Sequence, residues 1–177
     1  MITFLELVGE LRGFMDAGGN VLWIIAFVTF IMWTIAFERL WYFKSAGGLK
    51  GDVARVMGVW ESRAERNSWN AKSIREMLIS ETSLNINASM ALLGTLVKLC
   101  PLLGLLGTVT GMIEVFNVMA VTGGGDAKSM AGGVSKATIP TMSGMVAAIS
   151  GLFANSYLTQ VADREKALLE DHLTMDH

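Results

Sequence analysis

The chain has 177 residues, of which 52% are hydrophobic and only 17% are charged, and its mean hydropathy is +0.47. This composition is too apolar for a soluble chain of this length and predicts an integral membrane protein whose solvent is the lipid bilayer. A formal net charge of −2 provides no basic surface for nucleic acid. The single cysteine, Cys100, excludes a disulfide framework or a thiolate zinc site within one chain.

The N-terminal part of the sequence predicts an interfacial helix followed by a first membrane span. Apolar side chains from Phe4 to Met15 recur at helical spacing with charged residues between them, which is typical of an amphipathic helix on a membrane surface. Residues 21–37 are almost entirely apolar, and this run reaches the lower limit of about 17 residues for a span. We therefore expect an outer interfacial helix over 1–19 and span one over 20–38.

Segment 39–90 is charged and determines the orientation that we expect. Its pattern predicts two helical stretches separated near residues 67–70, with the second stretch running on into span two. Loops rich in lysine and arginine stay in the cytoplasm, so this segment is expected there and the N-terminus outside. The cations that support this orientation are Arg39, Lys44, Lys50, Arg55, Arg63, Arg66, Lys72 and Arg75, against Arg12 alone before span one.

Two further apolar runs complete the predicted topology. Span two is expected at 91–121 and span three at 137–159, joined by an outer connection over 122–136. The mixed charges of 160–177 predict a cytoplasmic tail that continues span three as a solvated helix. The expected fold is an all-α integral membrane protein in which 1–177 form a single membrane domain. It has three transmembrane helices, long helices extending into the cytoplasm and a short outer amphipathic helix.

Spans two and three carry small residues at four-residue spacing, and threonines where a lipid-facing helix would carry leucine. In hydrocarbon, helices associate through close backbone approach at small residues and through Ser and Thr hydrogen bonds. Thr108 and Thr141 are therefore candidates for lining a polar pathway. Packing alone also explains such a stripe, since a threonine hydroxyl can bond within its own helix. The residues predicted to pack are Gly104, Gly107, Gly111, Gly144, Ala147 and Gly151.

Two charged residues flank the same pair of spans. On an antiparallel hairpin, Glu114 lies about 9 Å outward of Thr108 and Lys136 about 7.5 Å outward of Thr141 at the helical rise, so the charges are expected at similar depth. We predict an intramembrane ion pair between Glu114 and Lys136 at this depth. Either charge without its partner would be left uncompensated. The alternative is that both charges only flank their spans near the outer surface, where lysine snorkels.

The sequence contains no convincing catalytic constellation. Its two histidines, His172 and His177, both fall in the terminal tail, which argues against a histidine-based nucleophile or metal site in the membrane. The glycine-rich stretch from Gly123 to Asp126 lies outside the apolar runs and is interpreted as a turn. We therefore predict that the protein is not an enzyme and that it uses no metal and no cofactor.

Two stretches of the sequence resemble a known family. Leu103 to Ile113 contains Gly-Leu-Leu-Gly-Thr-Val-Thr-Gly, and Gly133 to Ile149 contains a threonine ahead of Gly-Met-Val-Ala-Ala. These stretches are similar to the second and third transmembrane segments of the MotA/TolQ/ExbB proton-channel family. The short length and compact loop resemble the short ExbB members most, and TolQ is the next candidate.

The resemblance implies a bacterial inner-membrane homo-oligomer, a pentamer, around the helices of a dimeric ExbD-like single-span protein. That partner would supply the aspartate that carries the proton, and the complex would use proton-motive force to drive a TonB-like protein for outer-membrane nutrient uptake. The N-terminus would be periplasmic and the C-terminus cytoplasmic. Thr108 and Thr141 match the two pore threonines of the family motif, whereas Lys136 stands where relatives often have glutamate.

Two alternatives to this function stay open at the level of the sequence. One is a TolQ-like stator that serves envelope maintenance. The other is a non-conducting membrane scaffold that only positions partners through segment 38–90. A neighbouring gene for a single-span protein with one intramembrane aspartate would favour the ion-driven stator.

Overall fold

The structure, a computed structural model, describes residues 4–45, 49–62, 69–123 and 127–172, and its regular elements in these ranges are all helices. In chain order they are α1 (Phe4–Lys44), α2 (Leu49–Glu61), α3 (Trp69–Asn87), α4 (Met90–Thr122) and α5 (Ala127–His172). Three helical stretches, lying in α1, in α3 with α4, and in α5, are long and apolar enough to cross a membrane. The predicted all-α fold with three membrane-spanning helices is confirmed.

The chain divides into two compact units. Unit 1 consists of Met1–Trp33 and Thr95–Leu152, and unit 2 consists of Thr34–Gly94 and Phe153–His177. In unit 2, α2, α3 and the C-terminal part of α5 bury apolar side chains together. The single membrane domain expected over 1–177 stays a prediction.

Unit 1 is built from the first part of α1, most of α4 and the first part of α5. Buried residues recur along α1 every three or four positions, as at Ile25, Val28 and Met32. Val28 packs with Cys100 of α4 and Ala147 of α5 in one apolar cluster. This is the period of a helix that presents one face to partner helices. Large apolar side chains on the remaining faces are exposed, as suits contact with lipid.

Helix α1 is interrupted at Gly19, where the backbone has φ 65° and ψ −163°. Glycine adopts a positive φ of this kind without the steric penalty that a Cβ atom would impose. The residues before and after Gly19 are therefore two helices joined at a kink, although the range of α1 covers both. The break lies at the boundary expected between 1–19 and 20–38.

Unit 2 contains two clusters of buried apolar side chains. The first joins Val56 and Trp60 of α2 to Leu78 of α3 and Leu169 of α5. The second consists of Leu49, Ile86 and Ala162. Helix α5 continues to His172, so the helix expected in the tail is present as far as that residue. His177 lies outside the described residues.

Helix α3 does not run on into α4, contrary to the expectation from the sequence. It ends at Asn87, α4 begins at Met90, and Ser89 between them has a φ of 63°. This left-handed conformation costs a non-glycine residue about 1–2 kcal/mol. The guanidinium of Arg39 donates hydrogen bonds to the Asn85 carbonyl oxygen at 3.3 Å and to Ser89 Oγ at 3.2 Å. A tertiary contact therefore stabilises a break that helix propensity does not predict.

The connection between α4 and α5 is shorter than the expected 122–136. Helix α4 closes at Gly123, which has φ 75° and donates its N–H to the Met119 carbonyl at 3.1 Å, as glycine commonly does after a helix. Helix α5 begins at Ala127. The ends of the connection were expected where the sequence becomes less apolar. Helix formation, however, depends on backbone hydrogen bonds and not on apolar side chains. Residues 124–126 of the expected turn lie outside the described residues.

Candidate functional site

Helices α4 and α5 form an antiparallel hairpin in unit 1, with glycines at the contact. A Cβ atom added at Gly104 would lie 2.9 Å from the Cα of Thr141. One added at Gly144 would lie 2.5 Å from the carbonyl oxygen of Cys100. Non-bonded heavy atoms pack at about 3.5–4.0 Å, so a larger residue at either position would force the two backbones apart.

The contact continues toward the end of unit 1 that carries Glu114. A Cβ atom at Gly111 would lie 2.7 Å from the Cβ of Ala137. Gly107 faces Pro140, and a Cβ atom there would also lie 3.3 Å from Val21 of α1. Helices α1, α4 and α5 therefore meet around Gly107.

The opposite end of the α4–α5 contact also involves α1. A Cβ atom at Gly151 would meet Met32 of α1 and would lie 2.8 Å from Val97 of α4. Ala147, one turn earlier, is only 8% exposed and packs in the cluster with Val28. The six residues predicted to pack thus lie at contacts between helices in unit 1.

The two candidate threonines are linked through one carbonyl group. Thr141 Oγ1 donates a hydrogen bond across the hairpin to the Gly104 carbonyl oxygen at 2.9 Å. In a regular α-helix that same carbonyl accepts the backbone N–H of Thr108, four residues later. The Thr108 hydroxyl donates within its own helix, to the Leu105 carbonyl at 2.7 Å. Thr141 thus lies opposite Gly104, about one helical turn from Thr108 along α4.

Neighbouring hydroxyl groups in unit 1 behave differently from that of Thr141. Thr110 donates to the carbonyls of Leu106 and Gly107 in its own helix, and Ser143 donates to its own helix at Ile139. Both candidate threonines are half-buried in the single chain. A hydroxyl is a donor and an acceptor that can rotate, so each can exchange its present acceptor for a water molecule or a carboxylate.

A pocket of unit 1 brings together Asp16, Glu114 and Lys136, and we call it the charged pocket. It has a volume of about 650 Å³, and its three charged side chains are exposed. Glu114 and Lys136 reach the same pocket, consistent with their expected similar depth. No salt bridge joins these two residues in the part of the chain that the structure describes. Their direct ion pair therefore stays a prediction.

Two charged residues have positions in the structure that the sequence did not predict. Asp16 belongs to the expected interfacial helix, and only the packing of α1 against α4 and α5 brings it to the charged pocket. Arg39 is only 8% exposed and bonds Asn85 near the end of α3 and Ser89 in the break between α3 and α4. Its position directly after an apolar span was the available signal, because a buried charge there needs partners.

Metal ligation finds no support within the described ranges. No group of three or more His, Cys, Asp or Glu side chains lies close enough there to hold a metal ion. The polar groups at the contact between α4 and α5 are hydroxyls and backbone carbonyls, and three charged side chains of unit 1 line the charged pocket. This arrangement is suited to hydrogen bonding and proton exchange.

Comparison with known proteins agrees with this geometry. The model of the MotA/TolQ/ExbB proton channel family matches residues 50–171, which include α2, α3, α4 and nearly all of α5. The chain belongs to this family. The resemblance recognised from the glycine and threonine motifs is thereby confirmed, and the α4–α5 hairpin lies within the family-defining region.

The relatives are proteins named for biopolymer transport. An ExbB-like 1 protein of Synechocystis is 43% identical over 77 residues, which cover 42% of this chain and 30% of the relative. The exbB1 protein of Vibrio cholerae is 36% identical over 107 residues, covering 58% of this chain and 47% of the relative. The ExbB of Helicobacter pylori is 35% identical over 85 residues, covering 48% and 59%. The chain thus matches between 30% and 59% of the length of these relatives.

Proposed function

We propose that the chain is the proton-channel and stator subunit of an ExbB-ExbD-like complex in the bacterial inner membrane. The complex uses proton-motive force to energise a TonB-like protein for outer-membrane nutrient uptake. A homopentamer of the chain surrounds an ExbD-like single-span protein. In this orientation the N-terminus is periplasmic, and segment 39–90 and the C-terminus are cytoplasmic.

The observation that carries this proposal is the hydrogen bond from the Thr141 hydroxyl to the Gly104 carbonyl, one helical turn from Thr108, in the hairpin that the family model covers. The apolar stretches 99–113 and 137–158 contain no acidic residue. A carboxylate that carries protons between them must therefore come from a partner helix. The rotatable threonine hydroxyls can donate to that carboxylate when it is ionised and accept from it when it is protonated.

A non-conducting scaffold is the second candidate, and one contact favours it. The Thr141 hydroxyl already serves as a hydrogen bond between α4 and α5, so it has a purely structural use. A TolQ-like stator for envelope maintenance has the same membrane chemistry and differs in the partner that it drives. Identification of that partner separates the two stators.

The test of the ion-driven function replaces hydroxyl groups without changing side-chain shape. Thr108→Val and Thr141→Val should each lower energised uptake at normal protein level, and the double variant should abolish it, while the oligomer persists. Thr141→Ser retains the hydroxyl and should restore most activity. Thr110→Val is the matched control, because the Thr110 hydroxyl also bonds within α4. Full uptake by the double Val variant would favour the scaffold.

The assembly is tested separately by co-purification. The full chain would be expressed with a candidate single-span protein from a neighbouring gene, and native mass spectrometry would count both subunits. A stable complex containing five copies of the chain supports the proposal. A chain that never retains a single-span partner contradicts the ExbD-like assembly.

A further inference from the structure

The charged pocket lies where the three helices of unit 1 diverge. Its floor is the contact of Gly107 with Pro140 and Val21, and above it α1, α4 and α5 enclose about 650 Å³. Besides Gly107, five glycines line the wall and leave backbone atoms accessible there: Gly18, Gly19, Gly111, Gly132 and Gly133. The volume falls within the range of about 300–1,000 Å³ that is typical of ligand pockets.

Backbone polar groups reach this pocket from two elements. The interruption of α1 at Gly19 removes helical partners from neighbouring N–H and C=O groups, and residues 16–21 all line the pocket. In α5, Pro140 has no N–H to donate to the carbonyl of Lys136, four residues earlier. In membrane proteins an irregular backbone is stable where it faces a polar cavity. The occupant is therefore polar.

The charges of the pocket define the occupant more closely. Asp16 and Glu114 provide two carboxylates, and Lys136 provides one ammonium group. Two carboxylates disfavour a simple anion, and the lysine disfavours a simple cation. A zwitterion with a primary ammonium and a phosphate complements both. Its three N–H donors match the two carboxylates and the Lys136 carbonyl, and its phosphate forms a charge-assisted hydrogen bond with the lysine.

We propose that the charged pocket binds the headgroup of an aminophospholipid, with phosphatidylethanolamine as the representative. The pocket is built from helices long enough to cross a membrane, so phospholipid is the zwitterion at highest local concentration. The bound lipid joins α1 to the α4–α5 hairpin. This role is independent of the proposed proton-channel function.

The proposal is tested on the wild-type full chain without any partner protein. The chain would be reconstituted in nanodiscs that contain phosphatidylglycerol with either phosphatidylethanolamine or phosphatidylcholine. Bulk lipid would be stripped with detergent, and native mass spectrometry would identify the lipid that remains. Phosphatidylethanolamine should be retained in preference to phosphatidylcholine, whose quaternary ammonium has no N–H to donate. Equal retention of the two, or preferential retention of phosphatidylglycerol, overturns the proposal.

Substitutions then locate the binding site. Lys136→Gln and Glu114→Gln should each reduce phosphatidylethanolamine retention roughly tenfold, as expected for loss of one charge-assisted hydrogen bond. Lys98→Gln and Glu10→Gln remove the same charges from exposed positions of unit 1 that do not line the pocket, and should have no effect. If the pocket variants retain as much phosphatidylethanolamine as the control variants, the charged pocket is not the binding site. If soluble phosphoethanolamine at comparable concentration displaces the retained lipid, the pocket recognises the soluble compound equally well. That result overturns the lipid as the occupant.

Discussion

Unit 1 and unit 2 hold their helices together in different ways. In unit 1 the backbones of α4 and α5 approach at glycines, and a threonine hydroxyl bonds a carbonyl across the hairpin. In unit 2 large side chains such as Trp60 fill the space between helices, and the half-buried Tyr42 hydroxyl donates a hydrogen bond to Asp52 at 2.7 Å. Lipid provides no hydrophobic driving force between helices, so helices in lipid associate through close backbone approach. In contact with water, burial of apolar side chains is sufficient to hold helices together.

This difference means that the two units respond oppositely to a change in side-chain size. Unit 1 should be damaged by adding atoms at the contact, and unit 2 by removing them from its core. The two units also differ in the burial of their charged residues. Arg39 of unit 2 is almost fully buried, whereas the charged residues of the charged pocket are exposed. Four substitutions test these contrasts, each with a matched control.

The largest effect is expected from Gly144→Leu in unit 1. Its side chain would enter the space of the Cys100 carbonyl, so α4 and α5 would have to separate, at a cost of more than about 5 kcal/mol. Gly58→Leu in α2 is the control, because an added Cβ atom there meets nothing within 4 Å. Loss of the native oligomer on native gels, with the control unaffected, supports the contact. An intact Gly144→Leu oligomer would show that the backbones are not in contact.

The next largest effect is expected in the core of unit 2. Trp60 is 3% exposed, and Trp60→Ala should lower the free energy of unfolding by about 3–5 kcal/mol. Trp69→Ala removes the same side chain from a position that is 80% exposed and should cost less than about 1 kcal/mol. Denaturant unfolding in detergent, followed by far-UV circular dichroism, measures both. Equal losses would contradict the described core.

A smaller effect is expected from the buried guanidinium. Arg39→Met keeps much of the apolar stem but leaves Asn85 and Ser89 without their donor, which should cost about 2–3 kcal/mol. Arg55→Met removes an exposed arginine with long ion-pair distances of 3.7 and 3.9 Å, and should cost less than about 1 kcal/mol. The same unfolding measurement applies. A similar cost for both would show that burial of Arg39 adds nothing.

The smallest effect concerns the backbone at the break between α3 and α4. Ser89→Gly and Ser89→Ala both lose the hydroxyl that accepts from Arg39, but only glycine tolerates the φ of 63° without strain. The glycine variant should therefore be more stable than the alanine variant by roughly 1 kcal/mol. An alanine variant as stable as the glycine variant would contradict a left-handed residue at this junction.

The sequence by itself determined those features that depend on neighbouring residues. Three apolar runs of sufficient length specified three spans, because a helix satisfies its own backbone in lipid without help from distant segments. The glycine spacing and the two threonines identified the hairpin and the family, because short motifs of this kind are local. Two helical stretches before span two also followed from local pattern, but α3 begins at Trp69, inside the separation expected near 67–70, and residues 63–68 lie outside the described ranges.

Only the tertiary structure decided which of these residues meet. The hydrogen bond from Thr141 to Gly104 joins positions on two helices, and the charged pocket adds Asp16 of α1 to Glu114 and Lys136. The break at Ser89 likewise depends on contact with an arginine from α1. The apolar pattern and its helical period indicate that a helix has a contact face. They do not identify the partner helix or the register of the contact. Those are set by the mutual fit of helices that are distant along the chain.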